Sequence, residues 1–294
     1  MRSTNPVLSR WKSRHGGAQA PDREPVAAHA SAHPARAGVN LHKDPAADHR
    51  DRQDHSAPHG SPAAGGVMTM DDVVVRTGMT LGVVVLAAVL SWILLPVDRA
   101  GIGGSYAIAA GAALTAFAAA MTQTFLPRPS PALILTYAAF EGVFLGVFSN
   151  TVSTHLSPGV VVQAVLGTMA VFAAVLIAYK LRWIRVTRRF YGFVTAAAMG
   201  FVLLMAANLL FSAFTDGPGL GFRSGGLGIL FGVLGVILAA AFLSLHFKQI
   251  EDGITYGSPR AESWTAAFGL TLTLVWLYVE TLNLLTLVTE EDVY

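Results

Sequence analysis

Cysteine is absent from the 294 residues. Disulfides, zinc–thiolate centres, cysteine-ligated iron–sulfur clusters and thiol nucleophiles are thereby excluded. Charge is also scarce. Asp, Glu, Lys and Arg make up 13% of the chain, against roughly 25% in a soluble domain. The charge that exists is unevenly placed, with residues 1–70 holding 15 of the 38 charged side chains, seven of the 14 prolines and seven of the nine histidines. Beyond residue 70 the charges fall in short clusters between long apolar runs. Too little polar sequence is left for an ordinary soluble enzyme, or for a single-span anchor carrying a large soluble domain. The net charge of +2 is too small to indicate nucleic acid.

Residues 1–70 contain no apolar stretch of the roughly 7–15 residues that a secretory signal needs. Rich in Ala, Pro, His, Gly and mixed charge, this segment cannot bury enough apolar surface to offset the entropy of ordering, so it reads as a disordered tail. Its histidines (His15, His29, His33, His42, His49, His55 and His59) are irregularly spaced, and read as a solvated scatter rather than a metal site. Residues 71–294 read as the membrane domain.

A membrane-spanning helix needs about 20 apolar residues. Seven candidates follow, at roughly 73–97, 103–125, 132–152, 159–179, 190–214, 227–247 and 264–288. The expected fold is therefore all-α: a polytopic seven-transmembrane-helix bundle in the lipid bilayer, preceded by the tail. Short connections carry Pro or Gly, as in Leu126-Pro127-Arg128-Pro129-Ser130-Pro131 and Asp216-Gly217-Pro218-Gly219-Leu220-Gly221. No strand precedes the second, so it reads as a turn and not a phosphate loop. Basic residues favour the cytoplasmic side. Loops 126–131, 180–189 and 248–263 hold eight of them, while the loops on the opposite side hold two. The N-terminus is therefore expected in the cytoplasm. The run from Lys180 to Arg189 reads as a topology anchor. Gly142 with Gly146, Gly228 with Gly232, and the small residues of 107–120 allow close helix packing.

Ionisable side chains within spans are costly, which makes them functional candidates. Two acids qualify, Glu141 and Glu280, along with His246 near the inner end of the sixth span. Asp98 and Arg99 lie at a helix end, and Arg76 is close enough to the inner end of the first span to snorkel. Thr273, Trp276, Glu280, Asn283 and Thr286 recur at steps of three or four, forming one polar stripe that should face the bundle interior or a water-filled cavity. Tyr137 can supply Glu141 with a hydroxyl one turn away. His246 suits a pH switch or an interfacial position beside Lys248. Catalysis is not expected. Ser244 and His246 share a helix two residues apart and cannot face each other, and a His-Glu-x-x-His helix is absent. No cofactor motif is present.

Several segments then resemble a known family. They are Tyr137-Ala138-Ala139-Phe140-Glu141-Gly142-Val143-Phe144-Leu145-Gly146, Val162-Gln163-Ala164-Val165-Leu166-Gly167-Thr168, Ala267-Phe268-Gly269-Leu270-Thr271 and Trp276-Leu277-Tyr278-Val279-Glu280. Over about residues 68–288 the chain resembles the Bax inhibitor-1/YccA family of transmembrane Bax-inhibitor-motif proteins. Asn5-Pro6-Val7 and Met70-Asp71-Asp72-Val73-Val74 are similar to an actinobacterial branch. The resemblance implies a seven-helix fold in a bacterial plasma membrane, with a buried carboxylate pair, one on helix six and one on helix seven, associated with pH-sensitive calcium leak. Glu280 matches the helix-seven position. The helix-six position falls on His246, with Lys248 as the other register, and neither is an acid. A His–Glu or Lys–Glu pair is a poorer site than two carboxylates for calcium, which prefers oxygen ligands. The arginine that some members carry at the end of helix two is also missing, Arg128 being the nearest.

Depth gives a different pairing. At ~1.5 Å per residue, Glu280 lies ~12 Å below the outer boundary, Glu141 ~17 Å and His246 ~28 Å, which sets Glu280 level with Glu141. The resemblance instead requires a recessed helix seven, with Glu290, Glu291 and Asp292 either lining an outer cavity or forming a solvated end. Two functions remain. One is an ion-leak protein moving calcium or protons, with Glu280 as the titratable group and Glu141 or His246 as its partner. The other is a non-conducting membrane interaction protein that regulates a protease or another membrane partner.

Overall fold

The computed structural model describes residues 66–98, 101–155, 158–215 and 219–291. Seven helices follow in order: α1 (Met70–Leu94), α2 (Ile102–Phe125), α3 (Pro131–His155), α4 (Val160–Lys180), α5 (Arg188–Thr215), α6 (Gly225–Thr255) and α7 (Glu262–Glu291). All are long and apolar enough to cross a membrane. Among the described residues there is no strand beyond a single isolated bridge. Helices suit hydrocarbon because every interior backbone donor and acceptor is satisfied within its own segment. The N-terminal histidines, Asn5-Pro6-Val7, Arg99 and Asp216 to Pro218 lie outside the described residues, as do the side chains of Glu290 and Glu291 and all of Asp292.

Local chemistry sets the helix ends. Thr69, in extended backbone, accepts from the Asp72 amide through its hydroxyl and caps α1, and Asp71 and Asp72 place negative charge on that first turn, where the helix dipole favours it. Pro131 opens α3, where its missing N–H costs nothing. One expected boundary is corrected. The sixth helix does not stop at 247 but runs to Thr255. The polar residues Lys248, Gln249, Glu251 and Asp252 continue it, because Lys248 bonds Asp252 at 2.7 Å one turn ahead, the spacing at which helical side chains meet. His246 is consequently nine residues inside the helix and not at its end.

Helix α7 is the hub, packing on α1, α3, α4 and α6, while α2 packs chiefly on α3 and α5 chiefly on α6. Leu243 on α6 and Leu277 and Leu282 on α7 are fully buried. The outward faces carry Leu86, Ile93, Leu166 and Leu209 exposed, as expected where acyl chains are the solvent. Without a hydrophobic drive between helices in lipid, close approach and polar contacts decide the packing. Gly142 and Gly146 bring α3 onto α1, where a Cβ on Gly142 would lie 2.7 Å from Ala87 Cβ. Two hydroxyl pairs tie α7 down, the first buried and the second partly buried: Thr271 with Thr80 of α1 at 2.8 Å, and Tyr278 with Ser149 of α3 at 2.7 Å. Thr271→Val is expected to cost about 0.6 kcal/mol, the average for such bonds within membranes, as read by denaturant unfolding in mild detergent.

Candidate functional site

A cavity of about 1380 Å³ lies among α2, α5, α6 and α7. It runs from Ser258 and Glu262, at the α6–α7 connection, to Glu280 on α7 and Arg223 before α6. Those 18 residues of α7 rise ~27 Å. Its walls are largely apolar, including Met199, Phe201, Val202 and Leu272. Polar groups are spaced along it: Gln249 and His246 on α6, then Thr273, Trp276 and Glu280 on α7.

Glu280 lies at the far end. Its side chain is 4% exposed, and Arg223 Nη1 donates to Oε1 at 3.3 Å. Arg223 is 31% exposed, and its Nη1 also lies 3.3 Å from Met205 Sδ. At an effective dielectric near 20 the attraction at this separation is about 5 kcal/mol. The desolvation of each charge costs several kcal/mol. The two effects nearly cancel, so the pair is held weakly on balance although each partner needs the other. The second oxygen, Oε2, is buried with no hydrogen-bond partner. It lies over Gly235 of α6, where a Cβ would come within 3.0 Å of it and 2.9 Å of the carboxyl carbon. A glycine at 235 is therefore what lets the carboxylate fit between the two helices. The Trp276 indole, one turn earlier on α7, also interacts with the carboxyl.

His246 lies lower. Its Nε2 is 3.0 Å from Thr273 Oγ1 and its Nδ1 is 3.3 Å from Gln249 Oε1. The ring packs tightly on Gly269, where a Cβ would lie 2.6 Å from Cε1, and edge-on to Phe242. Thr273 precedes Glu280 by seven residues, ~10 Å along α7, so the structure does not join His246 to Glu280. Nor does it join Lys248, whose ammonium meets Asp252 at 2.7 Å and Glu251 at 3.9 Å. Glu141 is half-buried on α3, outside the cavity lining. The level pairing of Glu280 with Glu141 is thus replaced by Glu280 with Arg223. The depth ruler compared only the spans, whereas the cation comes from a loop that folds inward.

Of the polar stripe, Thr273, Trp276 and Glu280 line the cavity, and Asn283 and Thr286 continue above it half-buried, with Thr286 donating to the Asn283 carbonyl at 2.7 Å. Arg76 does not simply snorkel. It stacks 5.1 Å from the Trp264 ring centroid and donates to the Arg260 carbonyl. Arg223 is the site residue that sequence reasoning missed. Its signal was present: it is the sole basic residue of its loop, on the side where basic residues are sparse, and topology counting took it for a loop charge. Among the described residues no three His, Asp or Glu side chains come together as a metal-binding group.

A polytopic membrane bundle whose central helix carries a buried carboxylate, with a loop arginine paired to it at one end of a long cavity, defines the class. The family model described as Bax inhibitor 1 like matches residues 5–290, and the chain belongs to that family. No curated protein gave a significant match.

Proposed function

We propose that the protein is a pH-sensitive cation leak of the bacterial plasma membrane, carrying calcium or protons, with no enzymatic activity. Its N-terminus and the α2–α3, α4–α5 and α6–α7 connections would lie in the cytoplasm, by the excess of basic residues on that side. The observation that carries the reading is the Arg223–Glu280 pair at one end of the cavity. While paired, the two charges cancel, so the end of the cavity has little attraction for a cation and the arginine stands across it. Protonation of Glu280 cancels its hold on Arg223. The cap then loosens and the packing of α7 on α6 at Gly235 relaxes. His246, Gln249 and Thr273 supply the polar steps between that cap and the α6–α7 connection, along walls that are otherwise apolar.

The test is flux of calcium, and separately of protons, into liposomes holding the purified protein, across a pH series around ~6.5, with Glu280→Gln alongside. The expected result is flux that rises as pH falls, and a variant whose flux no longer depends on pH. A variant with the parent's flux and pH profile would sink the reading. A second reading is supported by the same pair: an Arg–Glu contact that neutralises itself serves equally as a structural fastener in a non-conducting protein that regulates a membrane protease or another membrane partner. No flux of either ion at any pH, together with recovery of one stoichiometric partner from membranes, would favour it.

A further inference from the structure

The cavity is open along one side. Helices α2 and α5 flank it, but α2 packs chiefly on α3 and α5 chiefly on α6, which leaves a gap between them. The mark of that gap is on the central helix. Leu272 lines the cavity on α7 and is 37% exposed, although α7 packs on α1, α3, α4 and α6. Across the gap α5 presents Met199, Val202 and Leu203, which also line the cavity and are each more than half exposed. Leu272 lies ~15 Å along α7, and Met199 to Leu203 lie ~16–22 Å along α5. Both depths fall inside a hydrocarbon core of ~30 Å, where the surrounding solvent is acyl chain and not water.

The polar groups of the cavity leave it neutral. Glu280 is paired with Arg223, and both ring nitrogens of His246 have partners, Thr273 at 3.0 Å and Gln249 at 3.3 Å. At about 1380 Å³ the space exceeds the roughly 300–1,000 Å³ of a small-molecule site. An apolar-walled void gives water few partners, and left empty it forfeits the dispersion contacts of its walls. Methionine on those walls adapts to a flexible filler. The surface with which the gap is continuous is the lipid-facing one. We propose that the cavity binds one acyl chain of a bilayer lipid, which enters between α2 and α5. The rim at the α6–α7 end is polar, with Gln249 and Thr265 exposed, and matches the ester and glycerol zone of a lipid from that leaflet. Half of the core is ~15 Å, which is the distance from Glu262 to Leu272 along α7. Glu280 lies ~12 Å further on, so the chain fills the half of the cavity nearer the α6–α7 connection and stops short of the Arg223–Glu280 pair. On the leak reading the chain also keeps water from that half and must withdraw before an ion passes. Its binding does not rest on that reading.

Trp276 lines the cavity one turn beyond Leu272 and serves as the reporter once the other tryptophans are changed to phenylalanine. The full chain is reconstituted in phosphatidylcholine brominated near the ends of its chains, and separately in unbrominated lipid with aqueous iodide. Leu86→Trp on the outward face of α1, with Trp276→Phe, is the reference for lipid at the outer surface. Bromolipid is expected to quench Trp276 nearly as well as the reference, and iodide to quench it little. Leu272→Phe should cut bromolipid quenching of Trp276 about twofold or more, because the ring takes the space of the chain, and should leave the reference unchanged. Iodide quenching without bromolipid quenching would mean a water-filled cavity. Quenching by neither would mean an opening covered by protein. Either result overturns the proposal, as does quenching of Trp276 that is indifferent to Leu272→Phe. If the tryptophan-depleted chain does not accumulate, the unaltered chain is irradiated in vesicles of a phospholipid carrying a chain-end diazirine. Adducts are then expected on Leu272 and Trp276, and adducts confined to outward residues such as Leu86 and Ile93 would overturn the proposal. Bromolipid quenching without ion flux leaves the lipid site standing and removes the leak. Iodide quenching with pH-dependent flux does the reverse.

Discussion

Arg223→Ala is expected to destabilise the folded protein by about 3 kcal/mol, the low end of the cost of stripping a buried charge of its partner. The low end applies because the guanidinium is 31% exposed while the carboxylate it serves is 4% exposed. Most of that cost falls on Glu280, whose other oxygen is already without a partner. Adding Glu280→Gln to Arg223→Ala should therefore recover most of the loss, since an amide of the same size needs no counter-charge. Glu280→Gln alone should be milder than Arg223→Ala, because the arginine left behind has access to the cavity. The three variants and the parent form a double-mutant cycle, read by denaturant unfolding in mild detergent. A double variant no more stable than Arg223→Ala would show that the two residues act separately, and would remove the electrostatic basis of the proposed cap.

Gly146→Leu should have an even larger effect, because it strikes the fit of two backbones and not a balance of charges. A Cβ at 146 would run into the Ser91 hydroxyl and the Ala88 carbonyl of α1. The serine hydroxyl can turn aside but the backbone carbonyl cannot, so α1 must move away from α3 bodily. Overpacking costs about 1–3 kcal/mol where a core can adjust, and backbone against backbone leaves little to adjust. The expected outcome is a several-fold drop in the yield of monodisperse protein. Gly82→Ala on α1, where a Cβ meets nothing within 4 Å, is the control and should leave yield and thermal midpoint unchanged. Equal behaviour of the two variants would mean that the α1–α3 crossing does not depend on the small residue.

The seven crossings were legible because hydrocarbon imposes a length and an apolar composition that few other environments demand. The GxxxG pair at Gly142 and Gly146 was legible for a related reason, since close helix approach requires small residues at that spacing. The corrected end of α6 shows the limit of this signal. Hydropathy marks where lipid ends, whereas the helix ends where its backbone bonds do, and Lys248 with Asp252 carries it further. The stripe from Thr273 to Thr286 identified Glu280 as a candidate, because periodicity along one helix is local information. Its partner was not legible. Arg223 approaches from a loop 57 residues earlier, and nothing in the spacing of residues along α6 or α7 encodes that approach. The same holds for Met68, which sequence reading placed with the tail, and which packs on Ile250 and Gly253 of α6.

The pairing of the start of α1 with the α6–α7 connection also bears on how the chain is made. Its two halves lie at opposite ends of the bundle's sequence, with Asp72 bonded to Arg260 and Arg76 to the Arg260 carbonyl across separations of 188 and 184 residues. Contacts so distant in sequence are among the last to form, and during synthesis the N-terminal side waits for nearly the whole chain to emerge. The nascent bundle must therefore pass through a stage in which six helices are inserted and the cavity lacks its central helix. The site is then a property of the completed chain alone: a product truncated before α7 would lack Thr273, Trp276 and Glu280 and leave Arg223 without its acid.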